Sequence, residues 1–432
     1  MARAKAKTLR GTVKLREVVM VDYCRTPHGR ASQKKPGFFA HMRADDLAIG
    51  VVQKLLERTG VDRKMVDEIT MGSPNLTGEQ QNPARTVGLL TCPYETRALS
   101  VDRACTSSMA GAQFGIMAIQ LGLEDIVIGA GAESCSHFPI PLWTHDTDMN
   151  KMIEEAIATG AAARGLPNPK LWEVIDAGTL IAMGNTAENL AAKYNVTREE
   201  CDQWALKSNL GAAEAQRKGW RKNEIIPTIG KFPDGTEKLV DYDEDVRPDT
   251  TIEKLRTLPT LYKPDGVVTA ASSSKQADAA GAAMFMSKDK ARELGLIPMC
   301  TVRSIAWEAC DPSIMGYSAT LAADKAVKRA GLKPQDIDLW ESNAAFAVPP
   351  IVQCKLLGIP WDRMNVNGDA LCIGHPIGAS GIRMVGTLAH EMNRRGVRWG
   401  CASICGGYGQ GTAMVVERED YDWDGRRAWV VS

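Results

Sequence analysis

Four stretches have the composition of sites, and the first of them holds a reactive-looking cysteine. Cys105 stands in LSVDRACTSSMAGAQFGIMAIQLG, where Met109, Ala112, Ile116 and Ile119 recur at helical spacing behind an extended, turn-prone VDRA. That spacing predicts Cys105 in the first turn of a helix. Unpaired N–H groups and the positive end of the dipole would favour a thiolate there, drawing the thiol pKa from ~8.5 into the range of roughly 3.5 to 7.5. Asn343, in WESNAAFAVPP, follows a strand ending near Trp340, so its side chain should emerge at that strand's C-terminal end. His375, in NVNGDALCIGHPIGASG, lies where glycines and a proline fix an irregular backbone ahead of a helix. Cys405, in SICGGYGQG, closes the last buried strand, and Gly406, Gly407 and Gly409 leave N–H groups accessible beside it. Each has a plain structural alternative. A free cysteine is among the most buried residue types, a lone histidine is more often structural, a glycine run is often a turn, and an asparagine often caps one.

The elements that must position these groups follow an α/β rhythm. Residues 17–23, EVVMVDY, read as a buried strand, Asp45 to Gly60 as an amphipathic helix and Glu68 to Met71 as a second strand. The rhythm returns later, and Gly60 to Asp67 align without gaps over Gly331 to Asp338, each behind a helix (Ala48 to Thr59, Leu321 to Ala330). A looser pair matches the helix Cys105 to Leu121 and strand Asp125 to Gly129 with the helix Gly378 to Arg395 and strand Trp399 to Ile404. This predicts an internally duplicated α/β unit whose equivalent strand ends share a crevice, with Asn343 falling at the position of Gly72. Between the halves the pattern breaks into charged, proline-interrupted stretches and two helices, Thr186 to Tyr194 and Thr197 to Lys218, the second opened by a Thr197/Glu200 capping box. The boundaries read as one half over 1–133 and 270–297, an inserted loop domain over 134–269 and a second half over 298–432. Such an insertion carries binding function, forms a lid, or serves as an interaction subdomain.

Composition narrows the function. The 432 residues exceed what one core usually holds. Lys+Arg and Asp+Glu both total 52, so no net field draws the chain to nucleic acid or anionic lipid. Eleven cysteines, an odd number without C-x-x-C pairs, predict free thiols in a reducing compartment and no metal site. No apolar run reaches the ~18 residues of a membrane span, and the basic MARAKAKTLR reads as a frayed tail rather than a targeting signal.

Taken together, the strings VDRACTSS, MGNTAENLA, TREECDQWALKSN, VRPDTTIEKLRTLPTLYKPDGVVTA, NVNGDALCIGHPIGASG and CGGYGQG resemble thiolases, in order from about residue 17 to 418. The resemblance implies the five-layer αβαβα thiolase fold with an inserted loop domain. It also implies acyltransferase activity: reversible, CoA-dependent cleavage of a 3-oxoacyl-CoA to acetyl-CoA and a shortened acyl-CoA, as in the β-oxidation of fatty or aromatic acids. By the same resemblance Cys105 is the nucleophile. His375 deprotonates it and hydrogen-bonds the thioester oxygen. Cys405 is the acid/base for the acetyl-CoA enolate, Asn343 holds a water in the enolate's oxyanion hole, and the N–H groups of Cys105 and Gly407 form a second hole. Met183, Ser274 and Phe346 match positions that line or contact the pantetheine arm, while the usual tunnel histidine is Ala182. Other departures surround the site: Ala344 in N-E-A-F, Ala271-Ser272 for glycine-asparagine, Met315-Gly316-Tyr317-Ser318-Ala319 for M-G-x-G-P, and Tyr408 for a glycine. Coenzyme A is implied as substrate with no other cofactor and no metal, in a cytoplasmic homodimer or dimer of dimers, with or without a partner subunit. The alternatives are a condensing enzyme of the ketosynthase or hydroxymethylglutaryl-CoA synthase type, which lacks the counterpart of Cys405, and a non-catalytic acyl-CoA-binding subunit. Phe138 to Trp172 departs most from the family pattern, and its Trp143 and Trp172 are expected in acyl-pocket walls or in subdomain packing.

Overall fold

The computed structural model describes residues 14–74, 82–138, 182–232 and 234–429, with 148, 151, 154 and 175 singly. Trp143 and Trp172 lie outside the described residues. In chain order the strands are β1 (Val18–Arg25), β2 (Gly29–Arg30), β3 (Glu68–Gly72), β4 (Arg97–Val101), β5 (Ile126–Ser134), β6 (Thr228–Lys231), β7 (Glu237–Val240), β8 (Ala277–Ser287), β9 (Cys300–Ala309), β10 (Leu339–Ser342), β11 (Trp399–Gly406) and β12 (Gln410–Glu417).

The duplication read from sequence is visible strand by strand. The hydrogen-bonded order is β10-β11-β12-β9-β1-β8-β5-β3-β4. In one half β3 runs parallel to β5, β5 antiparallel to β8, and β8 antiparallel to β1. In the other, β10, β11, β12 and β9 repeat those relations in the same order. The edge place of β4 is taken by a single bridge, Trp340 to Met364. The halves meet where β1 and β9 pair over three residues, from Val18↔Val302 to Met20↔Cys300.

The aligned octapeptides fold alike. Gly60 and Gly331 end their helices with left-handed φ of 67° and 75°, a conformation that costs glycine little. Seven residues on, Asp67 Oδ2 accepts from the amides of Asp125 and Ile126 at 2.8 and 2.9 Å. Asp338 Oδ2 accepts in the same way from Arg398 and Trp399 at 3.1 and 2.8 Å. Each aspartate fastens the loop entering the neighbouring parallel strand.

Among the described residues three large apolar cores lie between five layers. Leu47, Val51 and Leu55 of the helix Ala44–Thr59 pack on one sheet half, and Ala322, Ala326 and Val327 of Tyr317–Arg329 on the other. Between the sheet halves lie the helices Ser107–Gln120 and Ser380–Arg395. Met109, Ile116, Ile382 and Val385 share one core there with Met20, Phe285, Ile404 and Met414. Because β5 and β8 are covered on both faces they read as continuous buried runs rather than alternating ones. Small residues set the spacing: a Cβ added at Gly129 would stand 2.9 Å from the Ala112 Cβ.

The inserted region packs on both halves. Its helices span Met183–Tyr194 and Arg198–Arg217, the latter opened by the expected Thr197/Glu200 capping box. Fully buried Arg25 of β1 pairs with Glu224 at 2.8 Å and Asp243 at 2.6 Å, while Trp204 Nε1 donates to Asp369 Oδ2 at 2.9 Å. No helix among the described residues is long and apolar enough to cross a membrane.

Candidate active site

Cys105 differs from its sequence expectation in two ways. Its helix begins at Ser107, with Thr106 as N-cap, so the cysteine precedes the first turn. It sits on a sharp bend instead. Ala104 has φ of 49°, a left-handed conformation that a side chain adopts at a cost and that surrounding contacts must hold. The Ala104 amide donates to Asp102 Oδ1 at 3.0 Å and its carbonyl accepts from the Ser107 amide at 3.0 Å. Second, burial pushes the Cys105 thiol up to about 12 rather than down. The Gly407 amide and Cys105's own N–H are directed at the sulfur and favour the thiolate, while nearby Glu133 opposes it. The helix dipole fades within one turn, and desolvation of the anion outweighs it here. Alkylation of Cys105 by iodoacetamide in the free protein, followed by peptide mass spectrometry, is therefore expected to accelerate steadily with pH through about 9, as thiolate is released. A plateau reached near neutrality would contradict a protonated resting thiol.

His375 is gripped at both ring nitrogens. Its backbone amide donates to the Lys275 carbonyl at 2.7 Å, and Nδ1 lies 2.6 Å from Ser380 Oγ. Ser380 Oγ donates its only hydrogen to the Pro376 carbonyl at 3.0 Å, so Nδ1 carries the ring proton and Nε2 presents an accepting lone pair. Burial, with the Arg383 charge adding to it, lowers His375 to about 4, so the imidazole is neutral at ordinary pH. Nε2 faces Asn343 Nδ2 at 3.5 Å. Asn343 extends β10 by donating its amide to the Ser403 carbonyl at 3.0 Å, and its Oδ1 is buried without a partner among the described residues. Ser380 is a partner of His375 that the sequence reading passed over. Its signal was the serine five residues beyond the histidine, at the start of the helix.

Cys405, one residue before the end of β11, pairs with Gly411 and packs against Met315, Ala319 and Met183. Burial raises its thiol far above the ordinary range, and the nearby thiols Cys105 and Cys310 raise it further. Cys310, also unforeseen, is half-buried and donates its amide to the Gly409 carbonyl at 2.8 Å. Tyr408, in place of a glycine, keeps a glycine-like φ of 64° and leaves its ring half exposed. The turn geometry survives the substitution at the expense of backbone strain.

The three candidate binding residues divide. Ser274 lies on the wall of a cavity of about 1150 Å³ with Arg30, Lys34, Arg247, Lys254 and Lys275, and Ala271 lines it too. Met183 instead flanks Cys405, and Phe346 lies edge-on to Tyr262 at 6.2 Å between ring centres. The Ser274 amide donates to the Ala345 carbonyl at 2.8 Å, tying the cavity wall to the Asn343 loop. Ala344 is fully enclosed in the core containing Trp340 and Val348, and Ser272 Oγ accepts from the Thr269 amide at 2.7 Å to close its own turn. Glu133, at the end of β5, accepts from the Gly378 amide at 3.0 Å and fastens the His375 loop to the opposite half.

Residues 18–289 match the family model for the thiolase N-terminal domain, and residues 296–418 that for the thiolase C-terminal domain. The chain is 40% identical over 410 residues to a 3-ketoacyl-CoA thiolase of Marinobacter nauticus, covering 93% of this chain and 98% of that protein. It is similar to the crystal structure of the Bacillus anthracis acetyl-CoA acetyltransferase, with a TM-score of 0.82 and 33% identity over 94% of this chain and all of the other. The human mitochondrial 3-ketoacyl-CoA thiolase in complex with CoA gives a TM-score of 0.80 and 32% identity, over 94% of this chain and 99% of the other. These likenesses favour neither the condensing-enzyme nor the non-catalytic alternative.

Proposed function

The chain belongs to the thiolase family and is an acyltransferase; from that premise we propose that Cys105, His375, Cys405, Asn343 and Gly407 carry out thiolytic cleavage of a 3-oxoacyl-CoA. His375 Nε2 takes the Cys105 proton as the sulfur attacks the 3-oxo carbon, because the resting thiol is held protonated and the neutral imidazole is ready to accept. The C2–C3 bond then breaks. The acyl group stays on sulfur, and the electron pair leaves as the acetyl-CoA enolate, which Cys405 protonates at C2. Free CoA attacks the acyl-enzyme, its thiol proton returns to Cys405, and Cys105 recovers its own from His375. The N–H groups of Cys105 and Gly407 stabilise the tetrahedral oxyanion, and Asn343 with a bound water serves the enolate oxygen. One such donor is worth ~3 to 4 kcal/mol in comparable sites. The observation that carries the reading is the convergence on one sulfur of the Gly407 amide, from the last β-turn, and of a second thiol, Cys405.

In this reading residues 134–269 form a domain that binds CoA and shapes the acyl pocket, inserted between the half 1–133 with 270–297 and the half 298–432. Support comes from the cavity, whose wall joins Arg247 and Lys254 of the insertion to Arg30 and Lys34 of one half and to Ser274. Cations so grouped suit the phosphates of CoA, and Met183 and Phe346 suit the pantetheine arm nearer Cys405. All eleven cysteines are free, which favours the reducing cytoplasm.

The protein also acts as a homodimer in this reading. Among the described residues β4 has β3 as its only sheet neighbour, and Leu89, Leu90, Tyr94, Leu99 and Phe114 are exposed on it, its flanking helices and the turn before it. An unpaired edge beside apolar side chains is completed by a second copy. Light scattering should give twice the chain mass, and Leu99→Asp should shift it toward the monomer. A wild-type monomer would refute the assembly.

The activity is tested by a CoA-dependent cleavage screen across straight-chain, branched and aromatic 3-oxoacyl-CoA substrates. Release of acetyl-CoA is expected with at least one class. No release from any, with no acyl adduct on Cys105, would overturn the reading.

A further inference from the structure

The His375 ring takes its two partners from two different elements: Ser380 from the start of the helix Ser380–Arg395, and Asn343 from just beyond the end of β10. Three residues after Ser380 stands Arg383, and two before Asn343 stands Glu341. Both are buried, and Arg383 Nη1 contacts Glu341 Oε2 at 3.1 Å. We propose that Arg383 and Glu341 are a positioning pair for His375, holding that helix and that strand end at the spacing where the imidazole finds a partner on each nitrogen. The inference rests on His375 being the base of the proposed reaction.

Stability alone accounts poorly for the pair. Two buried charges lose hydration that their attraction barely recovers, and an apolar pair of similar volume is often as stable or more so. What the ion pair supplies is a fixed distance and a charge. Its surroundings are themselves charged: Glu341 feels Arg221 from the insertion and Asp369 from the loop before His375, and Arg383 lies near His28 and Tyr23. The charge also reaches the imidazole, since Arg383 is the cation that disfavours its protonation. Burial leaves Glu341 at about 7, so removing Arg383 lets that carboxyl take up a proton rather than remain a bare buried anion. Arg383→Met is for that reason a variant expected to fold.

The test sets wild type beside Arg383→Met, the apolar double variant Arg383→Met/Glu341→Leu and Arg383→Lys in one cleavage assay with melting temperatures. For the first two, kcat is expected to fall about 10²-fold, the effect of a displacement of about 1 Å in a catalytic group, with little change in KM for CoA. The acid limb of kcat/KM should also move up by roughly one pH unit, because a cation no longer opposes imidazolium. Arg383→Lys keeps the cation and should return the acid limb to its wild-type place. A double variant that melts with wild type and keeps its kcat and acid limb overturns the proposal, as does an Arg383→Met whose acid limb does not move. An inactive wild type without an adduct on Cys105 strikes at the thiolase reading instead, so the two failures are separable.

Discussion

Cys105→Ala is expected to abolish acyl transfer while leaving the fold intact, with a loss in kcat on the order of 10⁶-fold, the scale seen when the nucleophile of an acyl-transfer site is removed. The argument starts at the bend. The strained residue is Ala104 and the capping residue is Thr106, so neither the turn nor the helix start depends on the cysteine sulfur. Cys105 as a residue is half-buried and touches the central core at its margin, so a methyl in place of its thiol leaves a space no larger than one sulfur atom. Catalysis, by contrast, loses the atom that holds the acyl group. Peptide mass spectrometry after incubation with an acyl-CoA should find the adduct on Cys105 in wild type and none in the variant, with the melting temperature little changed. An adduct on Cys310 or Cys405 in wild type would sink the assignment.

Cys405→Ser separates the two halves of the reaction. With acetyl-CoA as donor the variant should still acquire an acetyl group on Cys105, because that exchange of thioesters forms no enolate and the departing CoA thiolate, a weak base, needs little help from an acid. Turnover of a 3-oxoacyl-CoA should fall by about 10² to 10⁴-fold, the usual worth of a positioned acid or base. A serine hydroxyl is a far weaker acid than a thiol, and the Met315, Ala319 and Met183 surroundings offer it no help in ionising. The measurement pairs pre-steady-state labelling with steady-state cleavage. Equal losses in both would mean that the enolate step depends on Cys405 no more than the thioester exchange, in which it only handles the CoA proton, and would overturn its role as the enolate's acid.

Local chemistry was legible before folding. The gapless match of Gly60 to Asp67 with Gly331 to Asp338 announced two alike helix ends, because a turn's φ is decided within a few residues, whereas the grips of Asp67 on Ile126 and of Asp338 on Trp399, 59 and 61 positions away, came only with the fold. The Thr197/Glu200 capping box was readable for the same reason. The helix Met183–Tyr194 starts three residues ahead of the expected Thr186, and Tyr317–Arg329 four ahead of Leu321, boundaries that packing adjusts. The duplication with its insertion was also in the sequence, which supplied Cys105, Asn343, His375 and Cys405 as the candidates for the proposed site. Their electrostatics were not. The resting state of Cys105 depends on how much protein displaces water from its sulfur and on Gly407 and Glu133, which are far from it along the chain. Desolvation belongs to the assembled fold, and no helix-start pattern can give its size. The tautomer of His375 likewise needed Ser380 and Pro376 in space. Whether Arg383 meets Glu341 was decided only when the central helix settled against the end of β10, since residues 42 positions apart become neighbours through tertiary packing alone.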